Sequence, residues 1–116
     1  MADRSQLFAD IDSMEPERFT AHLAEDVTMR FGNGDPIHGR DAVHDTWAGF
    51  CDGLDGVLHE GLRRWESEEG TVAEANVTYT KKDGSTVTVP VATMWREGDG
   101  GITDYRIFID LAPLFA

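Results

Sequence analysis

Cysteine is nearly absent from the sequence: Cys51 is the only one, so no disulfide can form within the chain. We interpret Cys51 as a small buried hydrophobic residue rather than a nucleophile. No apolar run approaches the roughly 20 residues that a membrane-spanning helix needs. The first residues, Met1-Ala2-Asp3-Arg4, do not follow the pattern of a secretory signal peptide. We therefore expect a cytoplasmic protein that depends on its hydrophobic core for stability and does not bind membranes.

Positive charge is also scarce. The chain has 10 Lys and Arg residues against 22 Asp and Glu residues, which gives a formal net charge of -12. Because a polyanion would repel such a surface, DNA, RNA and anionic membranes are not expected as partners. The simplest interpretation of the acidity is that it keeps the protein soluble.

The composition is that of a globular protein, since 41% of the residues are hydrophobic and 28% are charged. A length of 116 residues is enough for one ordinary domain with one core. We therefore predict a single domain over residues 1–116, without repeats, linkers or low-complexity segments.

Apolar residues at helical spacing predict three helices in the first half of the chain. The first contains Leu7 and Ile11, and the second begins at Pro16, a favoured first helical residue, and ends near Glu25. The third follows Gly39 and has one broad apolar face. That face carries Val43, Thr46, Trp47, Phe50 and Leu54.

Strands dominate the rest of the sequence. A short strand is predicted over residues 27–31, and longer strands over 57–66, 71–82, 85–96 and 102–109. Helices followed by a run of antiparallel strands are typical of an α+β domain. We expect a curved, mostly antiparallel sheet wrapped around the three N-terminal helices, with a cavity between the two layers.

The dipeptide Asp83-Gly84 predicts the hairpin that joins two of these strands, as a two-residue type I′ turn. With that turn, alternation of side chains places one set of residues on a common face: Val72, Glu74, Asn76, Thr78, Val89, Val91, Thr93 and Trp95. The opposite face carries Ala73, Ala75, Val77, Tyr79, Thr88, Pro90, Ala92 and Met94. Since neither face is plainly polar, we predict helices on one face and a second copy of the chain on the other, that is, a homodimer through the sheet.

Several segments resemble the nuclear transport factor 2-like superfamily, and in particular its SnoaL-like domains. These segments are Leu23-Ala24-Glu25-Asp26-Val27, Gly39-Arg40-Asp41-Ala42-Val43, Ile102-Thr103-Asp104-Tyr105-Arg106 and Asp110-Leu111. The resemblance implies a cone-shaped fold with an apolar pocket, and it selects the face with Glu74 and Asn76 as the inward one. The other pocket residues that it implies are Met29, Phe31, Phe50, Leu54, Thr78, Val89, Val91, Ile107 and Ile109. Trp47 and Tyr105 are further candidates for the pocket wall.

The residues of two known chemistries in this superfamily are missing. At the catalytic positions of limonene-1,2-epoxide hydrolases the chain has Met29, Phe31, Glu74, Asn76 and Ile107. The general-base position of ketosteroid isomerases also corresponds to Phe31, and an apolar side chain cannot exchange a proton. We therefore expect neither reaction.

Glu74 is the one carboxylate expected in the pocket, with Asn76 beside it on the same face. An apolar cavity would favour the protonated form of Glu74 and make it usable as a general acid or base. The alternative is that Glu74 lies at the mouth of the cavity, solvated and inert. The four histidines show no metal-ligand spacing, and no phosphate-binding loop is present, so no metal or cofactor is expected. His59 is the histidine that a neighbouring strand could bring near Glu74.

Two functions remain open. In the first, the protein binds a small apolar metabolite in the pocket and acts as an isomerase, cyclase or hydrolase through Glu74. In the second, it is a non-catalytic binding or dimerisation module that kept the fold and lost the chemistry. A pocket filled by its own side chains would favour the second.

Overall fold

The computed structural model describes residues 4–116 and confirms the predicted α+β architecture. The helices are α1 (Leu7–Asp12), α2 (Pro16–Thr20) and α3 (Arg40–Asp52), and a 3-10 turn spans Ala112–Leu114. The strands are β1 (Leu23–Phe31), β2 (Ile37–His38), β3 (Leu54–Ser67), β4 (Gly70–Lys81), β5 (Thr86–Gly98) and β6 (Gly101–Ile109). The six strands form one sheet in the order β2-β1-β6-β5-β4-β3, in which every pairing is antiparallel except that between β1 and β6.

The second helix is shorter than predicted and the first strand is longer. Helix α2 ends at Thr20, and Leu23 belongs to β1, where it pairs with Ile102 of β6. The spacing of apolar residues fits a helix or a strand at Leu23, because this residue would be buried in both; in the structure it is buried in the strand. Its burial comes from strand pairing, which the local spacing of apolar residues does not reveal.

The hairpin between β4 and β5 differs from the predicted one by a single residue. The Lys81 N–H donates to the Ser85 carbonyl at 2.8 Å, and the Gly84 N–H donates to the Lys81 carbonyl at 2.9 Å. The loop therefore has three residues, and only Gly84, at φ +87°, takes the left-handed conformation. Asp83 does not, so the predicted type I′ turn is wrong, and the turn is the three-residue kind that ends in a glycine bulge.

This change of register reverses the faces of β4 relative to β5. Glu74 pairs with Ala92 and Asn76 with Pro90, whereas the two-residue turn would have paired them with Thr93 and Val91. Because side chains alternate, a shift of one residue moves a whole set from one face to the other. The inner face of β4 carries the buried residues Thr71, Ala73, Ala75, Val77 and Tyr79.

The helices cover the inner face of the sheet and enclose the core between the two layers. One cluster of buried side chains centres on Trp95, Tyr105 and Phe19, and a second surrounds Val77 and Val89. Phe50 and Ile107 are partly buried and pack against both clusters. No helix in the described range is both long enough and apolar enough to span a membrane.

Candidate functional site

A small hollow lies between the helices and the inner face of the sheet. Its volume is about 20 Å³, which is room for roughly one water molecule. Apolar aromatic and branched side chains form most of its wall, and a histidine, a threonine and two tyrosines add polar groups to it. The lining residues are Ile11, Phe19, Phe31, Trp47, His59, Tyr79, Val91, Thr93, Tyr105 and Ile107.

His59 enters this wall from β3 and is held by Asp12, the last residue of α1. The register pairs His59 with Val77, whose side chain is fully buried, so the imidazole lies on the inner face. His59 Nδ1 lies 2.6 Å from Asp12 Oδ1, and the His59 backbone N–H donates to Asp12 Oδ2 at 2.9 Å. Both carboxylate oxygens therefore fix the same residue, which orients its ring.

The pairing also assigns the protons on the ring. A carboxylate can only accept, so Nδ1 carries the hydrogen that it donates to Asp12, and neutral His59 keeps its lone pair on Nε2. The His59 side chain is only 8% exposed, and that of Asp12 only 16%. Within residues 4–116, Nε2 has no hydrogen-bond partner, in contrast to Nδ1.

Two phenols, those of Tyr79 and Tyr105, line the same hollow as His59. Burial, and after it the nearby Asp12 carboxylate, raises the pKa of Tyr79 far above its ordinary value. Burial likewise raises the pKa of Tyr105, an effect that a hydrogen bond with Thr93 partly offsets. Both phenols therefore stay protonated at physiological pH and can donate hydrogen bonds.

Trp47 adds a donor that has no acceptor. Its side chain lines the hollow and is almost fully buried, yet its Nε1–H finds no partner among the described residues. Buried polar groups in folded proteins are nearly always paired, with water or a ligand if not with protein. An acceptor inside the hollow would remove this mismatch.

Glu74 and Asn76 do not lie in the hollow, and the expectation that they face inward is wrong. Both are exposed on the outer face of β4, and Glu74 Oε1 lies 3.6 Å from Arg63 Nη1 on the neighbouring strand. The three-residue turn is the physical reason, because it reverses the faces of β4. Their predicted catalytic role depended on the inward position.

These two residues line a separate, open groove on the outer face. The groove has a volume of about 460 Å³. Its other residues come mainly from β5, β6 and the chain that follows β6: Gly61, Ala75, Pro90, Val91, Ala92, Phe108, Ile109 and Asp110.

Of the other predicted pocket residues, five line the hollow: Phe31, Trp47, Val91, Tyr105 and Ile107. Phe50 lies behind them, with its ring centroid 5.0 Å from that of Phe31 and 5.3 Å from that of Trp47. Met29, Leu54 and Val89 are buried in the core without lining the hollow. Thr78 lies on the outer face, where its hydroxyl is 2.8 Å from that of Thr88.

Sequence reasoning missed Asp12 and Tyr79 and gave His59 only a secondary place beside Glu74. One available signal was the alternation of small or apolar Ala73, Ala75 and Val77 with polar Glu74 and Asn76. Such a strand normally turns its polar side to solvent. That pattern indicated the correct faces, but the assumed turn and the resemblance indicated the opposite ones.

Cys51 is not a candidate nucleophile. Burial, with a contribution from Asp52, raises the pKa of Cys51 to about 11, so its thiol stays protonated and unreactive near neutral pH. Within the described part of the chain, no group of three or more His, Cys, Asp or Glu side chains is arranged to hold a metal ion.

Comparison with known proteins agrees with this architecture. Residues 5–105 match the SnoaL-like domain family. No curated protein matches the sequence significantly. Among solved structures, a candidate polyketide cyclase from Xanthomonas campestris pv. campestris is similar with a TM-score of 0.83 and 18% identity, over 93% of this chain and 87% of that one.

Two further structures contain a bound small molecule. A hypothetical protein from Catenulispora acidiphila, with a ketosteroid isomerase-like fold and in complex with trimethylamine, has a TM-score of 0.80 and 19% identity over 93% of this chain and 85% of that one. TerC co-crystallised with polyporic acid has a TM-score of 0.78 and 19% identity over 93% and 88%. Because the family model covers most of the chain, one conclusion follows: the chain belongs to the SnoaL-like domain family.

Proposed function

We propose that the protein binds a small, mainly apolar molecule in the inner hollow and that His59, oriented by Asp12, is its acid–base group. The observation that carries the proposal is the His59–Asp12 pair, with a distance of 2.6 Å from Nδ1 to Oδ1 and with Nε2 left unpaired. Solved structures of similar fold with trimethylamine or polyporic acid bound support small-molecule binding in general.

The reaction class that fits these groups is proton transfer next to a carbonyl. His59 Nε2 would take a proton from the α-carbon, the C–H electron pair would form the new C=C bond while the carbonyl π pair moves to the oxygen, and Asp12 would stabilise the resulting imidazolium. The Tyr79 hydroxyl and the Trp47 Nε1–H are available to donate hydrogen bonds to the enolate oxygen. Return of the proton at another carbon gives an isomerase, and attack of the enolate on a second carbonyl within the substrate gives a cyclase.

Binding requires the hollow to expand, since 20 Å³ is far below the roughly 300 Å³ of an ordinary ligand site. The side chains best placed to move are Phe31 and Phe50, because they are only partly buried and lie at the edge of the core. The closely packed rings of Phe19 and Tyr105, with centroids 5.3 Å apart, form the opposite end. We therefore expect the ligand to enter by displacing Phe50 and Phe31.

A thermal-shift screen of small apolar carbonyl compounds tests this proposal. A ligand specific for the folded state at 100 times its Kd should stabilise the protein by about 2.7 kcal/mol and raise its Tm. The shift should fall in the variant His59→Gln and persist in Glu74→Gln, which removes a carboxylate from the outer face. If a hit is turned over, His59→Gln should slow turnover by about 100- to 10,000-fold.

The variant Tyr79→Phe removes one hydroxyl without emptying the core, so it remains informative if His59→Gln folds poorly. We expect it to weaken turnover while keeping most of the ligand-induced shift. Loss of the shift in Glu74→Gln together with its retention in His59→Gln would refute the assignment of the site to the hollow.

A second proposal is that the outer face associates two copies of the chain. Four large apolar side chains on this face are exposed, namely Leu58, Trp65, Val72 and Phe108, with 40–57% of their surface accessible. A stable interface buries about 800 Å² on each partner, and apolar residues form its centre. If the hollow never opens, association is the function that remains.

Sedimentation velocity at micromolar concentration tests this interface. We expect a dimer for the wild type and a monomer for Phe108→Asp, in which a charge would be buried at the interface. Phe115→Asp is the matched control, because Phe115 is even more exposed but follows the C-terminal 3-10 turn rather than lying on the sheet. A wild-type protein that sediments as a monomer would contradict this second proposal.

A further inference from the structure

A second groove lies at the end of the fold where α3, β3, β4 and the C-terminal turn meet. Its volume is about 420 Å³, and its walls are mostly apolar. Leu54 and Leu114 are buried beneath it, and the ring of Phe115 beside it is 74% exposed. The groove therefore offers a ligand both room and apolar surface.

Lys81 is the one charged residue in the lining of this groove. It pairs with Leu54 across β3 and β4 and lies two residues beyond Tyr79, so it belongs to the inner face at the end of the strand. Its ammonium forms no ion pair with any described residue, and it acts on the carboxylate of Asp83 only as a minor cause of that group's lowered pKa. Its neighbour Lys82, in contrast, is paired with Asp55 at 3.0 Å.

Three arginines also lack an ion pair, but each donates a hydrogen bond to a backbone carbonyl: Arg30, Arg40 and Arg64. Within residues 4–116, the Lys81 ammonium has neither kind of partner, although the chain has a net charge of -12. Lys81 and the apolar wall together provide the two contacts that an amphipathic anion needs: the ammonium binds its charged head, and the wall binds its tail.

We propose that this groove binds a small apolar carboxylate, with the carboxylate on Lys81 and the hydrocarbon against Phe50, Leu114 and Phe115. The site is separate from the inner hollow because Phe50 lies between them, with its ring against Trp47 and, at 5.6 Å between centroids, against Tyr79. It does not depend on acid–base chemistry at His59.

The experiment is a calorimetric titration of the full chain with octanoate, and with octan-1-ol as its uncharged counterpart. The variant Lys81→Met should raise the Kd for octanoate by about fivefold, the size of one partly exposed ion pair, and should leave that for octan-1-ol unchanged. Lys82→Met is the matched control and should change neither. His59→Gln should leave octanoate binding unchanged, so that this site and the hollow are tested separately.

Gly49 allows the groove to be filled directly. This residue of α3 lines the groove, and a Cβ added to it meets no other atom within 4 Å, so there is room for a longer side chain without moving the backbone. Gly49→Leu should abolish binding of both ligands while the far-ultraviolet circular dichroism stays that of the wild type.

Three results would overturn the proposal. The first is that the wild type does not bind octanoate at millimolar concentration. The second is an equal loss of affinity in Lys81→Met and Lys82→Met, which would indicate a general effect of charge. The third is unchanged binding in a folded Gly49→Leu.

Discussion

The inner hollow and the outer groove lie on opposite faces of the same two strands, β4 and β5, and they differ in their volume and in the polar groups that a ligand would meet. The groove has a volume of about 460 Å³ but its carboxylate, Glu74, is exposed and paired with Arg63. The hollow has only about 20 Å³, but it contains a buried imidazole held by a carboxylate and two protonated phenols. Of these two cavities, the one with the larger volume and the one with the buried polar groups therefore lie on different sides of the sheet.

The difference shows why volume alone is a poor guide to the functional site of this fold. Water screens the interactions of an exposed group, whereas a group excluded from water interacts strongly with its few neighbours. Two buried indole N–H groups lack an acceptor among the described residues, those of Trp47 and Trp95, and the one of Trp47 lies in the wall of the hollow. These differences are the reason that we propose ligand chemistry for the inner face and association for the outer face.

The largest expected effect distinguishes a tryptophan on each face. Trp47→Ala should lower the free energy of unfolding by about 3–5 kcal/mol, since it leaves a cavity in the core. Trp65→Ala, on the outer face where the ring is 50% exposed, should cost less than about 1 kcal/mol. Urea denaturation measures both. Equal losses at low protein concentration would contradict the assignment of faces, and a loss in Trp65→Ala that grows with concentration would support the dimer.

A smaller effect is expected from the carboxylate that holds His59. Asp12→Asn removes a carboxylate that accepts hydrogen bonds from the ring and the backbone of His59. The free energy of unfolding should therefore fall by about 1–3 kcal/mol. The control is Asp55→Asn, which removes the exposed partner of Lys82 and should cost less than about 1 kcal/mol. Similar values for the two variants would show that the buried pair contributes no more than a surface ion pair.

The smallest effect concerns pH and Cys51. Burial raises the pKa of this thiol to about 11 from an ordinary value of 9.0, so the folded state disfavours the thiolate. Its contribution to stability is therefore fully present below pH 9 and is lost as the pH rises from 9 towards 11. Unfolding curves at these pH values should show that decline, and Cys51→Ala should make it shallower. Rapid modification of the native thiol by a disulfide reagent at pH 8 would contradict the burial.

Much of the fold could be predicted because periodicity and turn residues are local signals. The apolar spacing in α3 identified Trp47 and Phe50, and the β-branched runs identified the long strands. Five of the eleven predicted pocket-wall residues line the hollow, because they are large apolar residues on elements whose faces were correctly assigned.

The remaining errors come from information that is not local. Asp83-Gly84 suits either a two-residue or a three-residue loop, and the choice changes the register by one residue and moves Glu74 and Asn76 to the other face. The pairing of Asp12 with His59 joins residues that are 47 positions apart. Only the packing of α1 on β3 brings them together, and nothing in their immediate sequence indicates it.

The most direct test of the inner site is a nuclear magnetic resonance titration with a compound identified by the thermal-shift screen. The indole N–H signal of Trp47 and the ring nitrogens of His59 report on the hollow, and the amide signals of Asn76 and Phe108 report on the outer groove. The account predicts that the compound shifts the Trp47 and His59 signals, and that in the free protein the neutral His59 ring has its hydrogen on Nδ1. Shifts confined to Asn76 and Phe108, with His59 and Trp47 unchanged, would contradict it.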